Sequence, residues 1–360
     1  MTIKLAILND THAGVRNSSE IFIEYQRRFY EEVFFPYCNE NGIKQIIHLG
    51  DYYENRKFIN FKALKANRMM FLERLREYGI TMDIIAGNHD LFWKNSSELC
   101  ALNELLGHYM NEVNIIHKPT VMDYDGMKMG LVPWINADNQ ETSFHFLDNC
   151  KADIIGAHLE LAGFDVTPGR PMAHGMGIDH FQRFEMVLSG HYHTKSSQNG
   201  IYYLGSQMEF FWNDAHDPKY FHVLDTATRK LDHVINPITL FEKIYYDDSQ
   251  LALEPEKYFN CPLNHLDQKF VKVIVTKKTN PYMFDQFIDR IQNRSIYELK
   301  IAEDFAEFRG TAVDDDDVLI EDTSALLNSY IDSVDTELDK EHIKQQVHEL
   351  MIEAQSLEVS

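Results

Sequence analysis

The sequence predicts an α/β fold of strand–helix–strand units, with a smaller α+β appendage toward its C-terminal end. Three observations predict it. Five short apolar runs in the first two hundred residues alternate with helix-like stretches, which is the grammar of an α/β domain. Each run ends in a residue of metal-ligand type, and ligands in open α/β sheets gather at the carboxyl ends of strands. A chain of 360 residues also exceeds one ordinary domain, leaving room for a large domain and one or two small ones.

The first run, residues 3–8, ends at Asn9-Asp10-Thr11-His12. A helix with a serine cap is expected over 19–39. The run 45–49 ends at Gly50-Asp51, and a second helix over 61–78 carries Leu64, Ala66, Met69, Met70, Leu72 and Leu75 as a broad apolar stripe. Residues 83–86 lead into Gly87-Asn88-His89-Asp90, 153–157 into His158, and 186–189 into Gly190-His191-Tyr192-His193. Shorter strand-like pieces at 201–204, 220–224 and 230–235 belong to an outer sheet of the same domain. These elements make residues 1–240 one domain. Residues 241–301 form a smaller unit, with strands at 270–275 and 295–301 around a helix at 281–292. Residues 302–317, closing on four consecutive aspartates, have the composition of a solvated linker. Two amphipathic helices come next, within 318–360: Ile320, Leu327, Tyr330, Ile331 and Val334 line the first, and Ile343, Val347, Leu350, Met351 and Ala354 the second.

Composition narrows the function classes. Hydrophobic residues at 44% and charged residues at 25% sit at the globular average, against a disordered, collagen-like or low-complexity chain. No apolar run approaches the roughly 18 residues of a membrane span, and Met1-Thr2-Ile3-Lys4 enters a strand without a signal-peptide layout. Four scattered cysteines without a Cys-x-x-Cys spacing argue against a zinc ribbon or disulfide framework, so a reducing cytoplasm is expected. The net charge of −22 is concentrated in the tail: residues 303–360 hold 17 acidic and 3 basic side chains, and the preceding 302 hold 39 and 31. A polyanion handled by such a chain needs help from metals or a partner.

Side by side, the strand ends would assemble Asp10, His12, Asp51, Asn88, His89, His158, His191 and His193 into one cluster. Oxygen donors mixed with several imidazoles suit Mn²⁺, Fe²⁺ or Zn²⁺ better than Ca²⁺ or Mg²⁺. Two cations about 3.5 to 4 Å apart, bridged by an aspartate, are the usual arrangement for in-line attack on a phosphoester. Each piece has a plainer reading: Asp-x-His can cap a turn, Gly-Asp is a common dipeptide, and Gly-Asn is a turn former. Gly-His-Tyr-His places two imidazoles on one side if the segment is extended. The ordered appearance of all the pieces is what argues for a site. His48 reads as a strand residue with a satisfied hydrogen bond, and His174 and His216 as loop residues. Phe210, Phe211 and Trp212 read as a buried aromatic cluster or as a base-stacking platform.

In their order, Asp-x-His, Gly-Asp, Gly-Asn-His-Asp, a later His and Gly-His-x-His resemble the calcineurin-like metallophosphoesterases. Within that family, the chain resembles the SbcD-type DNA repair and recombination nucleases, especially their compact phage version. That likeness rests on the approach to His158, on Tyr203-Leu204-Gly205-Ser206, on the small appended unit and on the acidic linker with its two helices. The resemblance implies a four-layer α-β-β-α domain, and a DNA exonuclease and endonuclease in the cytoplasm of a bacterial cell or phage-infected host. It implies two metal ions, most simply Mn²⁺: Asp10, His12 and His193 on one, Asn88, His158 and His191 on the other, Asp51 between them. His89 would contact the scissile phosphate or protonate the leaving oxygen, with Asp90 orienting its ring. Tyr52-Tyr53-Glu54 departs from the family's loop after Gly-Asp. The resemblance further implies DNA as partner, a DNA-capping role for residues 241–301, terminal helices that grip the coiled coil of an SbcC-type ATPase, and a homodimer. Seven basic residues, Lys269, Lys272, Lys277, Lys278, Arg290, Arg294 and Lys300, would supply the DNA-tracking face of the small unit; an ordinary solvated face is the alternative. Rival readings are a phosphoesterase acting on nucleotides or phosphoproteins, and a non-catalytic scaffold of the same fold.

Overall fold

The computed structural model describes residues 3–249 and 261–303, together with Ile331, Lys340 and Ile343. The expected linker and terminal helix pair otherwise lie outside the described residues, and the compact unit that holds both sheets ends at Glu303. Among the described residues no helix is long and apolar enough to cross a membrane.

Two six-stranded mixed sheets carry the large domain. The first runs Leu231–Ile235, Tyr220–Asp225, Lys4–Leu8, Gln45–His48, Thr81–Ile85 and Val113–Ile116; the second runs Ser196–Gln198, Ile201–Tyr203, Met186–Gly190, Ile154–His158, Met127–Val132 and Thr120–Tyr124. In each sheet four neighbouring strands are parallel, and the antiparallel pairings lie toward the edges. Period-2 alternation explains why the sequence runs are uniformly apolar. In Lys4–Leu8, Leu5 and Ile7 pack between the sheets, against Met129, Leu131, Ile154 and Leu188, while Ala6 and Leu8 pack outward against Phe22, Phe29 and Phe71. The second sheet repeats this, sending Ile155, Ala157 and Val187 outward to Leu147 and Phe164. The layers are therefore helix, sheet, sheet, helix, with the last layer made of the helix Gln140–Asn149 and aromatic-rich loops.

The two expected long helices form, each with a π-helical turn in its middle: Phe29–Phe34 inside 20–40 and Arg68–Leu72 inside 61–78. In the first, Pro36 lacks the N–H that a regular turn would use, and the wider turn just before it accommodates the loss.

The small unit is a three-stranded parallel sheet in the order Phe241–Asp247, Phe270–Lys277, Glu298–Glu303, so its first strand is an addition to the expected pair. Helix Pro281–Gln292 has Asn280 as its cap and proline at its first position, and buries Phe284, Phe287, Ile288 and Ile291 on Tyr246 and Val273. The unit docks on the large domain through Phe22, whose ring lies 5.9 Å from Phe270, and through Trp212, 5.0 Å from Phe241. At least five of its seven basic side chains are engaged within the protein, Lys278 among them with its ammonium 5.0 Å from the centre of the Phe284 ring. Lys269 pairs with Glu242 at 3.1 Å, Lys272 is buried over the Trp212 ring, Arg290 donates to the Cys261 carbonyl and Arg294 to Asp267. Lys277 and Lys278 are exposed.

Glu209 fastens the junction. Its buried carboxylate accepts the N–H groups of Leu240 (2.5 Å) and Phe241 (2.9 Å), and burial lifts its pKa to about 7 against the pull of those two donors. Replacing it by Ala leaves two buried N–H groups unpaired, each costing about 1 to 3 kcal/mol. Urea unfolding of Glu209→Ala is therefore expected to show a loss of at least about 2 kcal/mol; an unchanged midpoint would contradict the assignment.

Candidate metal centre

The carboxyl ends of the central strands of both sheets meet at one place, and the backbone there is unusual. Asp10 (φ 46°), His12 (φ 45°), Asp51 (φ 55°) and His191 (φ 88°) all lie in the left-handed region, which costs a non-glycine residue about 1 to 3 kcal/mol. The turns are held by bonds between adjacent strand ends: Asp10 N–H to the Gly50 carbonyl at 2.9 Å, and His12 N–H to the Asp51 carbonyl at 3.1 Å. Two glycines make room. A Cβ on Gly50 (φ 90°) would stand 2.7 Å from His158 Nδ1, and one on Gly87 2.1 Å from an Asp51 carboxylate oxygen.

The left-handed His191 breaks the extended geometry expected of Gly-His-Tyr-His, so its two imidazoles part company. His193 joins Asp10 and His12, while His191 joins Asp51 and His158; within each group the ligand-type atoms lie within 4.8 Å of one another. His12 Nε2 and His193 Nε2 are 3.1 Å apart, with Asp10 Oδ1 3.9 Å from the former. Asn88 Oδ1 is 3.0 Å from His158 Nε2. Asp51 Oδ2 lies between the groups, 3.3 Å from His158 Nε2 and 4.0 Å from His12 Nε2. Asp10, His12, Asp51, Asn88 and His158 are buried, and His89, His191 and His193 are half-buried.

The donor set fits divalent cations, because the second contacts fix which ring nitrogens carry protons. His158 Nδ1 donates to the Leu49 carbonyl at 2.7 Å, and His12 Nδ1 lies 2.7 Å from a Glu54 carboxylate oxygen. In the neutral rings both Nε2 atoms then present lone pairs toward carboxylate, amide and imidazole acceptors, an arrangement that a cation satisfies. Without one, protons take its place. Burial opposes charge on His12, but Glu54, then Asp51 and Asp10, lift its pKa to about 10; burial likewise opposes charge on His158, and Asp51 with Asp10 lifts it to about 9. Burial pushes His193 down to about 4.

Glu54 is the residue that sequence reasoning missed. It belongs to the segment noted only as a departure from the family loop, yet its carboxylate holds His12 and its carbonyl accepts from His89 Nδ1 at 2.7 Å. His89 N–H in turn donates to Asp51 Oδ1 at 2.8 Å. The Asp90 carboxylate, expected to orient the His89 ring, instead accepts the backbone N–H groups of Tyr52 (3.0 Å), Tyr53 (3.0 Å) and Gly87 (2.9 Å), while the Glu54 carbonyl anchors that ring. Asp90 thus fixes the loop that presents Glu54.

A second unforeseen group lies behind His193. The buried Lys219 ammonium donates to the His193 carbonyl and to Asp217, both at 2.9 Å, and pairs with Asp214 at 2.6 Å. Phe210 and Trp212 are buried, so the platform reading fails for them; Phe211 is half-buried and stacks on His193. His48 bonds Thr11 at 3.0 Å, His216 reaches Glu242 at 3.0 Å, and His174 is an exposed loop residue.

Fold and site together define a metal-dependent phosphoesterase. The chain belongs to the calcineurin-like phosphoesterase family, whose sequence model matches residues 3–195. It is 28% identical over 357 residues to exonuclease subunit 1 of enterobacteria phage T4, covering 98% of this chain and 99% of that protein. Among solved structures it is similar to an archaeal phosphodiesterase (15% identity, 65% of this chain and 100% of that one, TM-score 0.34). It is also similar to a purple acid phosphatase from yellow lupin, Lupinus luteus (14%, 65% and 52%, TM-score 0.38).

The geometry has two measurable consequences. Because His12 and His158 are raised to about 10 and 9, both are protonated in the metal-free site at pH 8 and must release protons when a cation binds. Calorimetric titration of Mn²⁺ in buffers of different ionisation enthalpy is expected to show proton release, with affinity rising from pH 6 to 9; heats that ignore the buffer would contradict this. Glu54→Ala is expected to weaken Mn²⁺ binding about 10- to 100-fold, the usual effect of losing a carboxylate behind a histidine ligand, and unchanged affinity would remove Glu54 from the site.

Proposed function

We propose that this chain is the nuclease subunit of an SbcCD-like ATPase–nuclease complex that hydrolyses DNA phosphodiesters in repair and recombination. The activities are 3′ to 5′ exonuclease on duplex ends and endonuclease on single strands or hairpins. The observation that carries the reading is the pair of His/Asp groups sharing Asp51, with His89 mounted beside it. Asp10, His12 and His193 would hold one cation and Asn88, His158 and His191 the other, with the Asp51 carboxylate placed between the two groups. Such cations, Mn²⁺ in this reading, would supply Lewis acidity at the phosphate and at the attacking water.

The chain's own residues do the rest. Anchored at Nδ1 by the Glu54 carbonyl, the His89 ring presents Nε2 for proton exchange. As an imidazolium it stabilises the charge that develops on phosphorus oxygens and gives its proton to the departing 3′ oxygen as the P–O bond breaks and the water oxygen bonds to phosphorus. Asp90 keeps the 52–54 loop in place, and so the ring. The full-length likeness to an exonuclease subunit supports a polynucleotide substrate and a second subunit. The small unit caps the DNA, with exposed Lys277 and Lys278 toward the backbone, and residues 318–360 bind the coiled coil of an SbcC-type ATPase. Exposed Phe58 (69%) and Phe61 (85%), at the start of the 61–78 helix, supply an apolar face for a homodimer.

Cleavage of end-labelled duplex DNA with Mn²⁺ tests the reading. His89→Ala is expected to lower kcat by at least about 100-fold while retaining two metals. Adding the ATPase and ATP is expected to raise activity, and deleting residues 318–360 to abolish that gain. Robust His89-dependent hydrolysis of a small phosphodiester with no cleavage of DNA would favour a nucleotide or phosphoprotein substrate instead.

A further inference from the structure

One strained segment at the rim of the centre is unused by this chemistry. Just after His12 the chain passes through Arg16 (φ 54°, ψ 51°), Asn17 (φ 55°, ψ 37°) and Ser18 (φ 60°), three successive non-glycine residues in the left-handed region. Such residues normally occur singly, and a run of three persists only where its surroundings hold it. Backbone bonds close the turn, from Ser18 N–H to the Gly14 carbonyl at 2.9 Å and from Ser19 N–H to the Arg16 carbonyl at 3.2 Å.

The turn fixes one side chain. Arg16 Nε donates to the Phe210 carbonyl at 3.0 Å, and its guanidinium carbon lies 4.9 Å from the centre of the Phe211 ring. Phe211 stacks on His193 with ring centres 5.8 Å apart, and Phe210 packs against both His12 (5.5 Å) and His193 (5.7 Å). The half-buried guanidinium is thus one ring removed from two residues of the metal centre. Among the described residues it makes no ion pair, and neither Nη nitrogen has a hydrogen-bond partner. A positioned planar fork with uncommitted donors matches the oxygens of a phosphate.

We propose that Arg16 is a substrate-positioning residue that grips a phosphate of the bound strand next to the scissile one. The proposal rests on the nuclease reading and deepens it: it makes the preferred substrate a polynucleotide with several phosphates. The left-handed turn holds the guanidinium at a set distance from the metals, so the grip fixes the register of the strand.

The test is steady-state hydrolysis by the full chain with Mn²⁺, comparing wild type, Arg16→Gln and Arg16→Lys on a short end-labelled oligonucleotide and on bis(p-nitrophenyl) phosphate. Arg16→Gln is expected to raise KM for the oligonucleotide about tenfold with kcat little changed, the effect of losing one charge-assisted phosphate contact. The slope of log KM against log salt should fall by about one, and Arg16→Lys should recover part of both effects. Unchanged KM and salt slope would overturn the proposal. So would parallel losses on both substrates, which would mark a structural role through Phe210. Hydrolysis of the small diester but not of the oligonucleotide by the wild type would overturn the nuclease reading as well, and the wild-type arm identifies that case.

Discussion

The Asp51 carboxylate, buried where the carboxyl ends of two sheets converge, is the group on which the arrangement depends. A charge in that position is costly unless it is met from several sides. Here it is met by the His89 N–H, by His158 and by His12, which belong to different strand ends. Gly87 is compatible with that carboxylate because a side chain there would occupy its place. The left-handed turns at Asp10, His12, Asp51 and His191 follow from the same demand: acceptors from two sheets must converge on one small volume. Local strain of this kind is kept where the surrounding fold is strong, and the strands on either side are buried on both faces.

Much of this was legible in the sequence, for a physical reason. Parallel strands buried on both faces read as uninterrupted apolar runs, and ligand residues at their ends stand out against that background. Asp10, His12, Asp51, Asn88, His89, His158, His191 and His193 were expected at one place from their positions after the apolar runs, and the structure brings them together. Glu54, Asp214, Lys219 and Arg16 were not, because they lie on loops where no periodicity marks them and their partners are distant in the chain: Glu54 meets His12, and Lys219 the carbonyl of His193. The edge strand Thr120–Tyr124, its neighbour Met127–Val132 and the helix Gln140–Asn149 were also passed over. The first strand is exposed at three of its five positions, and the helix buries only Ser143 and Leu147. The first strand of the small unit, Phe241–Asp247, was hidden similarly by its mixed burial.

The loops give the site its particular character. The segment from Gln207 to Asp214 touches the Asp10 carbonyl at one end and binds the start of the small unit through Glu209 in its middle; Phe210 rests on two imidazoles. One continuous stretch therefore connects the docking of the small unit with the ligand rings. On the opposite side, the 52–54 loop, pinned by Asp90, presents Glu54 to His12 and His89 together. Altering either loop is expected to disturb both the holding of metal and the presentation of substrate.

The central claim is that two cations share this centre across Asp51. Crystals of the protein grown with Mn²⁺, measured at the manganese absorption edge, test it most directly. Two anomalous peaks are expected, one within reach of Asp10, His12 and His193 and one within reach of Asn88, His158 and His191, with Asp51 between them. A single peak, or a peak seated on His12, Glu54 and His89 with the Asp51 carboxylate left out, would contradict it.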